Sequence, residues 1–447
     1  MKRILSKTAL TATSALLLLV GIVSNALAVV DGITGSVSGT TRTFDLEVST
    51  FTINTPDGDS FKVWGYGPVG GVPQYPGPTL KVRAGDHVVI TLANKLPNLP
   101  GQSLPMPTSI VFPGQSGVTV SGGTPGLMTN ESTDDTDIVT YEFDAPEPGT
   151  FMYNSGTRPG LQVEMGLVGA LIVYPSSTAD LNNPTQAYDT ADSTFDHEYL
   201  GMLTEMDPSI HYKVEFGLLD QVNNAVTHPV LWFINGRNGP DTMFPAGLTS
   251  LPNQPYDALP RMHPGEKILI RLIGGGREQH PWHTHGNNHW VIGRDGRALS
   301  SSGTSLDLAY SDYTTLVTPG STYDITFEWT GAGMGWDFYG HAEAYATEAE
   351  CLANTTPEAY EDAASHCKKL PVVMPENLSL TFGGFWRGSP FIGAMGALPP
   401  GEGGLNLNGG MVFIWHSHTE KELVNNDIFP GGMMTMLIVE PPGVPIP

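Results

Sequence analysis

The sequence predicts an all-β protein made of two β-sandwich domains. Apolar runs of strand length recur along the 447 residues, and Gly (53) and Pro (37) punctuate them as turns. Few stretches carry helical periodicity, and 40% hydrophobic content is enough for sizeable cores.

Residues 29–178 read as the first domain. Strands are expected at 43–48, 80–82, 88–92 and 138–143, with turns at Ala84-Gly85-Asp86 and Pro148-Gly149. The apolar run 166–174 reads as a buried closing strand. A polar, strand-poor stretch at 179–196 reads as a linker. The second domain, 197–447, is expected to hold strands at 214–219, 267–272, 289–292, 323–329, 411–418 and 433–439. An insertion of about 331–410 interrupts it. This insertion carries one helix signal, with Thr356 as cap, Pro357 in the first turn and helix formers over 358–364. A Gly- and Pro-rich run follows at 399–404.

The first 28 residues read as a secretory signal. Lys2, Arg3 and Lys7 precede a short apolar run that ends in Ala26-Leu27-Ala28. A membrane anchor is the competing reading. No later segment has the roughly 18 apolar residues needed to span a bilayer. Cleavage would remove three basic residues and no acidic ones, taking the formal charge from −24 to −27. Such acidity argues against nucleic acid as a partner. It raises the local concentration of cations, although a solvated secreted surface accounts for most of it. The expected location is periplasmic or secreted.

The two cysteines, Cys351 and Cys367, are expected to pair in an oxidising compartment. Free thiols or metal ligation, with His366 adjacent, is the other reading.

Two histidine motifs carry the chemistry. One is His280-Pro281-Trp282-His283-Thr284-His285-Gly286. The other is Trp415-His416-Ser417-His418, which runs into Phe429-Pro430-Gly431-Gly432-Met433. Residues i and i+2 of a strand share a face. If the two segments lie side by side, four imidazoles converge. Such a set suits Cu(II), Zn or Ni, with copper favoured by the general affinity order. The alternative is a set of hydrogen-bonded core histidines that bind nothing. No Gly-x-Ser-x-Gly elbow surrounds Ser417, so a serine nucleophile is set aside.

These motifs resemble the copper-binding motifs of the multicopper oxidases. The stretches 75–86, 149–156, 165–173, 233–237 and 240–242 are similar to other recurrent pieces of that family. The resemblance covers most of the chain outside the insertion and implies two cupredoxin-like Greek-key domains. It implies copper ligation by His283, His285, His416 and His418, with His280 as a weaker candidate of type 1 character. The departures are as informative. Ser417 stands where the family places the type 1 copper cysteine, and Glu422 where it places a second type 1 histidine. Met433 matches a displaced axial methionine, although Met433, Met434 and Met436 also suit an apolar strand. The stretches 108–114 and 153–156, where the first-domain histidine pairs would fall, contain none. His87, the one histidine of that domain, reads as a surface or packing residue. His289 would either line the site or face outward. His341 with Glu343 would either reach the site or lie in a solvated loop. Glu422 is a candidate for orienting an imidazole, and Glu420 reads as a surface charge.

The expectation is a copper-binding, multicopper-oxidase-like protein with one or few copper ions. It would lack the type 1 site and half of the trinuclear-site histidines, leaning towards a copper-dependent oxidoreductase with a small reductant as substrate. The alternatives are a non-catalytic copper-binding or storage protein and a structural cupredoxin scaffold. Two-domain relatives imply a homotrimer, by analogy alone.

Overall fold

The computed structural model describes residues 30–373, 381–382, 385–386, 408 and 410–446. The segment read as a secretory signal and the run at 399–404 lie outside these residues.

The main strands of the first half are β1 (Thr41–Asn54), β2 (Ser60–Pro68), β3 (Gly77–Arg83), β4 (His87–Asn94), β5 (Val139–Asp144), β6 (Gly149–Asn154) and β7 (Val168–Tyr174). In one sheet β1 pairs antiparallel with β2 and parallel with β4, and β4 pairs antiparallel with β5. The facing sheet has the order β6-β7-β3, with β7 and β3 parallel. Strand β4 buries Val88, Ile90 and Leu92 against the core and turns the residues between them outward. That alternation is the signature of a sheet with one wet face. Strand β7 is buried throughout because it has two apolar neighbours. Leu171 and Val173 enter the first core, while Ala170, Ile172 and Tyr174 enter a core shared with the second half.

The second half contains β8 (His197–Met206), β9 (Leu231–Ile234), β10 (Lys267–Gly274), β11 (His280–Thr284), β12 (His289–Arg294), β13 (Thr314–Val317), β14 (Thr322–Glu328), β15 (Met411–Ser417) and β16 (Met434–Val439). One sheet has the order β9-β8-β10-β14-β12, and the other β16-β15-β11-β13. The expected all-β, cupredoxin-like double sandwich is the fold observed. Met202, Leu231, Phe233 and Ile273 meet Val63, Tyr75, Ala170 and Ile172 in the shared core. Arg271 clamps the same junction. It reaches Glu198 at 2.6 Å, Thr150 of the first half at 2.9 Å and Asp324 at 3.3 Å. The strand-poor stretch at 179–196 lies along this body, with Tyr188 and Phe195 packed against Leu269 and Ile292.

Two expected elements are corrected. The strand expected at 214–219 is instead the end of a helix, α1 (Pro208–Glu215), and the turns beyond it. Asp207 caps this helix by accepting from Ser209 N at 3.0 Å, and Pro208 starts it. Ile210 and Val214, one turn apart, bury into the first core. The helix expected at 358–364 is a series of turns, and the insertion's helix is α2 (Glu348–Asn354). Thr347 caps α2 by accepting from Glu350 N, an S/T-x-x-E start. Pro357 disfavours helix at the residue before it. Glu361 and Asp362 then accept bonds from the N–H groups of Glu358 and Ala364, so side chains replace the helical ladder.

Candidate metal centre

The two histidine motifs lie on paired strands. Strands β11 and β15 run antiparallel, with Trp282 opposite Ser417, His283 opposite His416 and Thr284 opposite Trp415. Strand alternation then sorts the side chains. Trp282, Trp415 and Ser417 face the interior and are buried, whereas His283, His285, His416 and His418 share the outer face. The indole N–H of Trp415 donates to the His285 carbonyl at 2.9 Å, fixing the end of β11 from the core side.

The four rings meet as the pattern predicts. Ring centroids are 4.9 Å apart for His283–His285, 5.4 Å for both His283–His416 and His285–His416, 4.8 Å for His283–His418 and 5.5 Å for His416–His418. One ring nitrogen each of His283, His285 and His416 lies within 4.8 Å of the others. Nδ1 of His416 donates to the Ser417 carbonyl at 2.6 Å, since a carbonyl can only accept. Its Nε2 therefore carries the lone pair and lies 3.4 Å from His285 Nε2. Nδ1 of His283 is held at 2.7 Å by Thr314 Oγ1, leaving Nε2 as its free ring nitrogen. Bonds of this kind at the far nitrogen orient metal-binding imidazoles, and the carbonyl contact also sets the tautomer of His416. Partial burial and the neighbouring rings push the pKa of His283 down to about 4, and burial lowers those of His285 and His416. Neutral rings that converge on one point are what copper ligation needs. The donor set thus fits the metal.

His280 stands apart on the inner face. Its Nδ1 lies 2.9 Å from Glu422 Oε2 and its Nε2 3.0 Å from Glu205 Oε2, and all three side chains are almost fully buried. Ser417 Oγ donates to the same Glu422 oxygen. Burial alone would lower the His280 pKa, but the two carboxylates overturn that and raise it to about 9. Imidazolium, two carboxylates and a hydroxyl therefore fill the place that the resemblance gives to a thiolate and two imidazoles. A turn over Glu420–Leu423 delivers Glu422. Gly432, at φ 62°, lets the return strand pass, because a Cβ there would stand 2.0 Å from the Glu422 carbonyl oxygen. Met433 is buried in the apolar core of the second half.

The remaining candidates resolve as follows. His289 is buried, held through both ring nitrogens by Thr284 and Thr315 at 2.9 and 2.8 Å. His87 pairs at the surface with Asp144. In the first half, Ser109, Thr157 and Glu131 form a hydrogen-bonded chain near the stretches without histidine. His341 turns to Glu361 and His366 within the insertion. Cys351 and Cys367 form the expected disulfide. Sequence reasoning missed Glu205, although a carboxylate within the apolar strand β8 is a legible oddity. It also missed the orienting role of Thr314.

A double sandwich with paired His-x-His strands defines a cupredoxin-type copper protein. Multicopper oxidase family models match residues 48–178 and 226–355, and the chain belongs to the multicopper oxidase family. A probable nitrite reductase–hydroxylamine oxidoreductase fusion protein of Kuenenia stuttgartiensis is 28% identical over 253 residues, covering 55% of this chain and 24% of that protein. The L-ascorbate oxidase of Cucurbita pepo var. melopepo is 29% identical over 164 residues, covering 37% of this chain and 26% of that protein. The matches thus span about a quarter of the length of these curated relatives. Among solved structures, the multicopper oxidase mgLAC is similar with a TM-score of 0.54 at 20% identity, over 91% of this chain and 88% of that one. A blue copper oxidase from Nitrosomonas europaea gives 0.52 at 20% identity, over 90% and 86%.

Proposed function

We propose that this is an extracytoplasmic copper protein that binds copper through His283, His285 and His416, with His418 at the rim, and has no thiolate entry site for electrons. The observation that carries the reading is the convergence of one ring nitrogen each of His283, His285 and His416 within 4.8 Å, with the lone pair of His416 Nε2 turned to this point. Copper held by imidazoles supplies one-electron redox chemistry. The chain's own residues orient the rings through Thr314 and the Ser417 carbonyl and leave His285 and His418 open to solvent. A small reductant would meet this exposed rim directly, beside the ring of Tyr313, which lies 5.8 Å from His283. A homotrimer is the assembly proposed with this reading, by analogy with two-domain relatives.

Copper counting and paramagnetic resonance on the purified protein, followed by oxygen uptake, test the reading. Ascorbate and nitrite, taken from the names of the relatives, are the first substrates to assay. Absence of bound copper would overturn it. Tight copper binding without turnover of any reductant would favour a storage or buffering role, which the charge of −24 also suits. Cell fractionation with N-terminal sequencing tests the location.

A further inference from the structure

We propose that His341, Glu361 and His366 form a second metal site, for a zinc-class divalent cation, built wholly within the insertion. It shares no residue with the quartet on β11 and β15.

The argument starts from Thr355. Its Oγ1 lies 2.8 Å from the Cys351 carbonyl oxygen, and a hydroxyl so close to an acceptor places its one proton between them. His366 Nε2, 2.9 Å from the same Oγ1, must then be the donor in that pair. In the neutral ring the Nδ1 lone pair of His366 is then directed at Glu361 Oε1, only 3.0 Å away, whereas an imidazolium would donate to it. Both side chains are buried, at 0% and 4% exposure. Two electron-rich atoms at this distance in a dry setting need a proton or a metal cation between them, and the third donor beside them selects the metal.

A third donor points to the same place. His341 Nδ1 is 3.5 Å from Glu361 Oε1, and one ligand atom of each residue lies within 4.8 Å of the others. Bonds of about 2.0–2.1 Å to a tetrahedral ion set its ligands about 3.3 Å apart. The separations of 3.0 and 3.5 Å bracket that value. Glu361 Oε2 is anchored by Glu358 N at 3.0 Å, which leaves Oε1 for the ion. Asp337 accepts from the N–H groups of Tyr339, Gly340 and Ala342 and so shapes the turn that carries His341. Two imidazoles, one carboxylate and an open fourth position make a three-ligand zinc pattern. His341, 27% exposed, marks the entry path. The neighbouring sulfurs are consumed in the Cys351–Cys367 bond and are not ligands.

The test uses the full-length protein with all four quartet histidines replaced by alanine, stripped of metal and titrated with zinc chloride. The expected result is one zinc per chain, weakened at least tenfold by either E361Q or H341A. Cobalt(II) in the same protein should give tetrahedral-type visible absorption that E361Q abolishes. Circular dichroism and a thiol count of zero establish that each variant keeps its fold and disulfide. If E361Q fails to fold, H341A decides, since this side chain is partly exposed. Zinc uptake unchanged in H341A, or no zinc in the parent, would overturn the site and leave a proton-bridged cluster of histidines and carboxylates.

Discussion

His280 Nδ1 lies 2.9 Å from Glu422 Oε2, the oxygen that also accepts the Ser417 hydroxyl. This contact joins buried His280 to the residue that, on the resemblance, stands where the family has its second type 1 histidine, so the proposed loss of that site involves more than Ser417. Ser417→Cys alone should therefore not yield a blue protein. It would place a soft thiolate against a carboxylate, with His280 still bridged on both nitrogens. The double variant S417C/E422H restores a Cys and two imidazoles, the set that blue copper sites use. Visible absorption after Cu(II) addition should show an intense thiolate band in the double variant only. A strong band in the single variant would count against this account of the cluster.

The same cluster makes stability depend on pH. The folded pKa of His280, about 9, lies above its ordinary value of 6.5. The stabilisation is complete below pH 6.5 and is lost as pH rises through 9. Its size is about 3 kcal/mol at most. Denaturant midpoints measured from pH 6 to 10 should fall across this window. In a Glu422→Gln variant that fall should shrink, and the variant should lose about 3 kcal/mol at pH 6, as expected when one partner leaves a buried ion cluster.

Copper affinity should respond to pH in the opposite sense. An ordinary imidazole must shed a proton below pH 6.5 before it can ligate, but His283 titrates near 4. Cu(II) binding should therefore weaken little between pH 7 and 5.5. Replacing both His283 and His416 with alanine should lower the affinity at least a hundredfold. Calorimetric titration against a competing chelator measures both effects. Equal copper binding by the double variant and the parent would remove the quartet from consideration.

The disulfide closes a segment with a sequence separation of 16. On a chain-entropy account it contributes about 3 kcal/mol. Reduction should expose amides over 337–368 to hydrogen exchange while leaving the strands of both sandwiches protected. Uniform loss of protection across the protein would show that the insertion is integral to the sandwich beneath it.

Much of this was legible in the residues. The apolar runs of β4 and β7 announce strands, and the two His-x-His pairs announce one shared face once the strands pair. Their actual pairing, His283 opposite His416, is a long-range register that no local pattern encodes. The helix at Pro208 was legible too, through Asp207 and Pro208, but Val214–Leu219 masqueraded as a strand because its apolar residues serve one helical turn and then a loop. The role of Glu422 was half visible, since its alignment with a ligand position was apparent. Its partnership with His280 and Glu205 depends on three separate chain segments folding together.

The core common to both sandwiches has a consequence for how this protein can be handled and reused. Tyr75, Ala170 and Ile172 share one apolar core with Met202, Phe233 and Ile273 of the other half. Either half expressed by itself would present a greasy flank to water and self-associate. The portable module is the pair, and shuffling one sandwich into another protein would need that flank redesigned first.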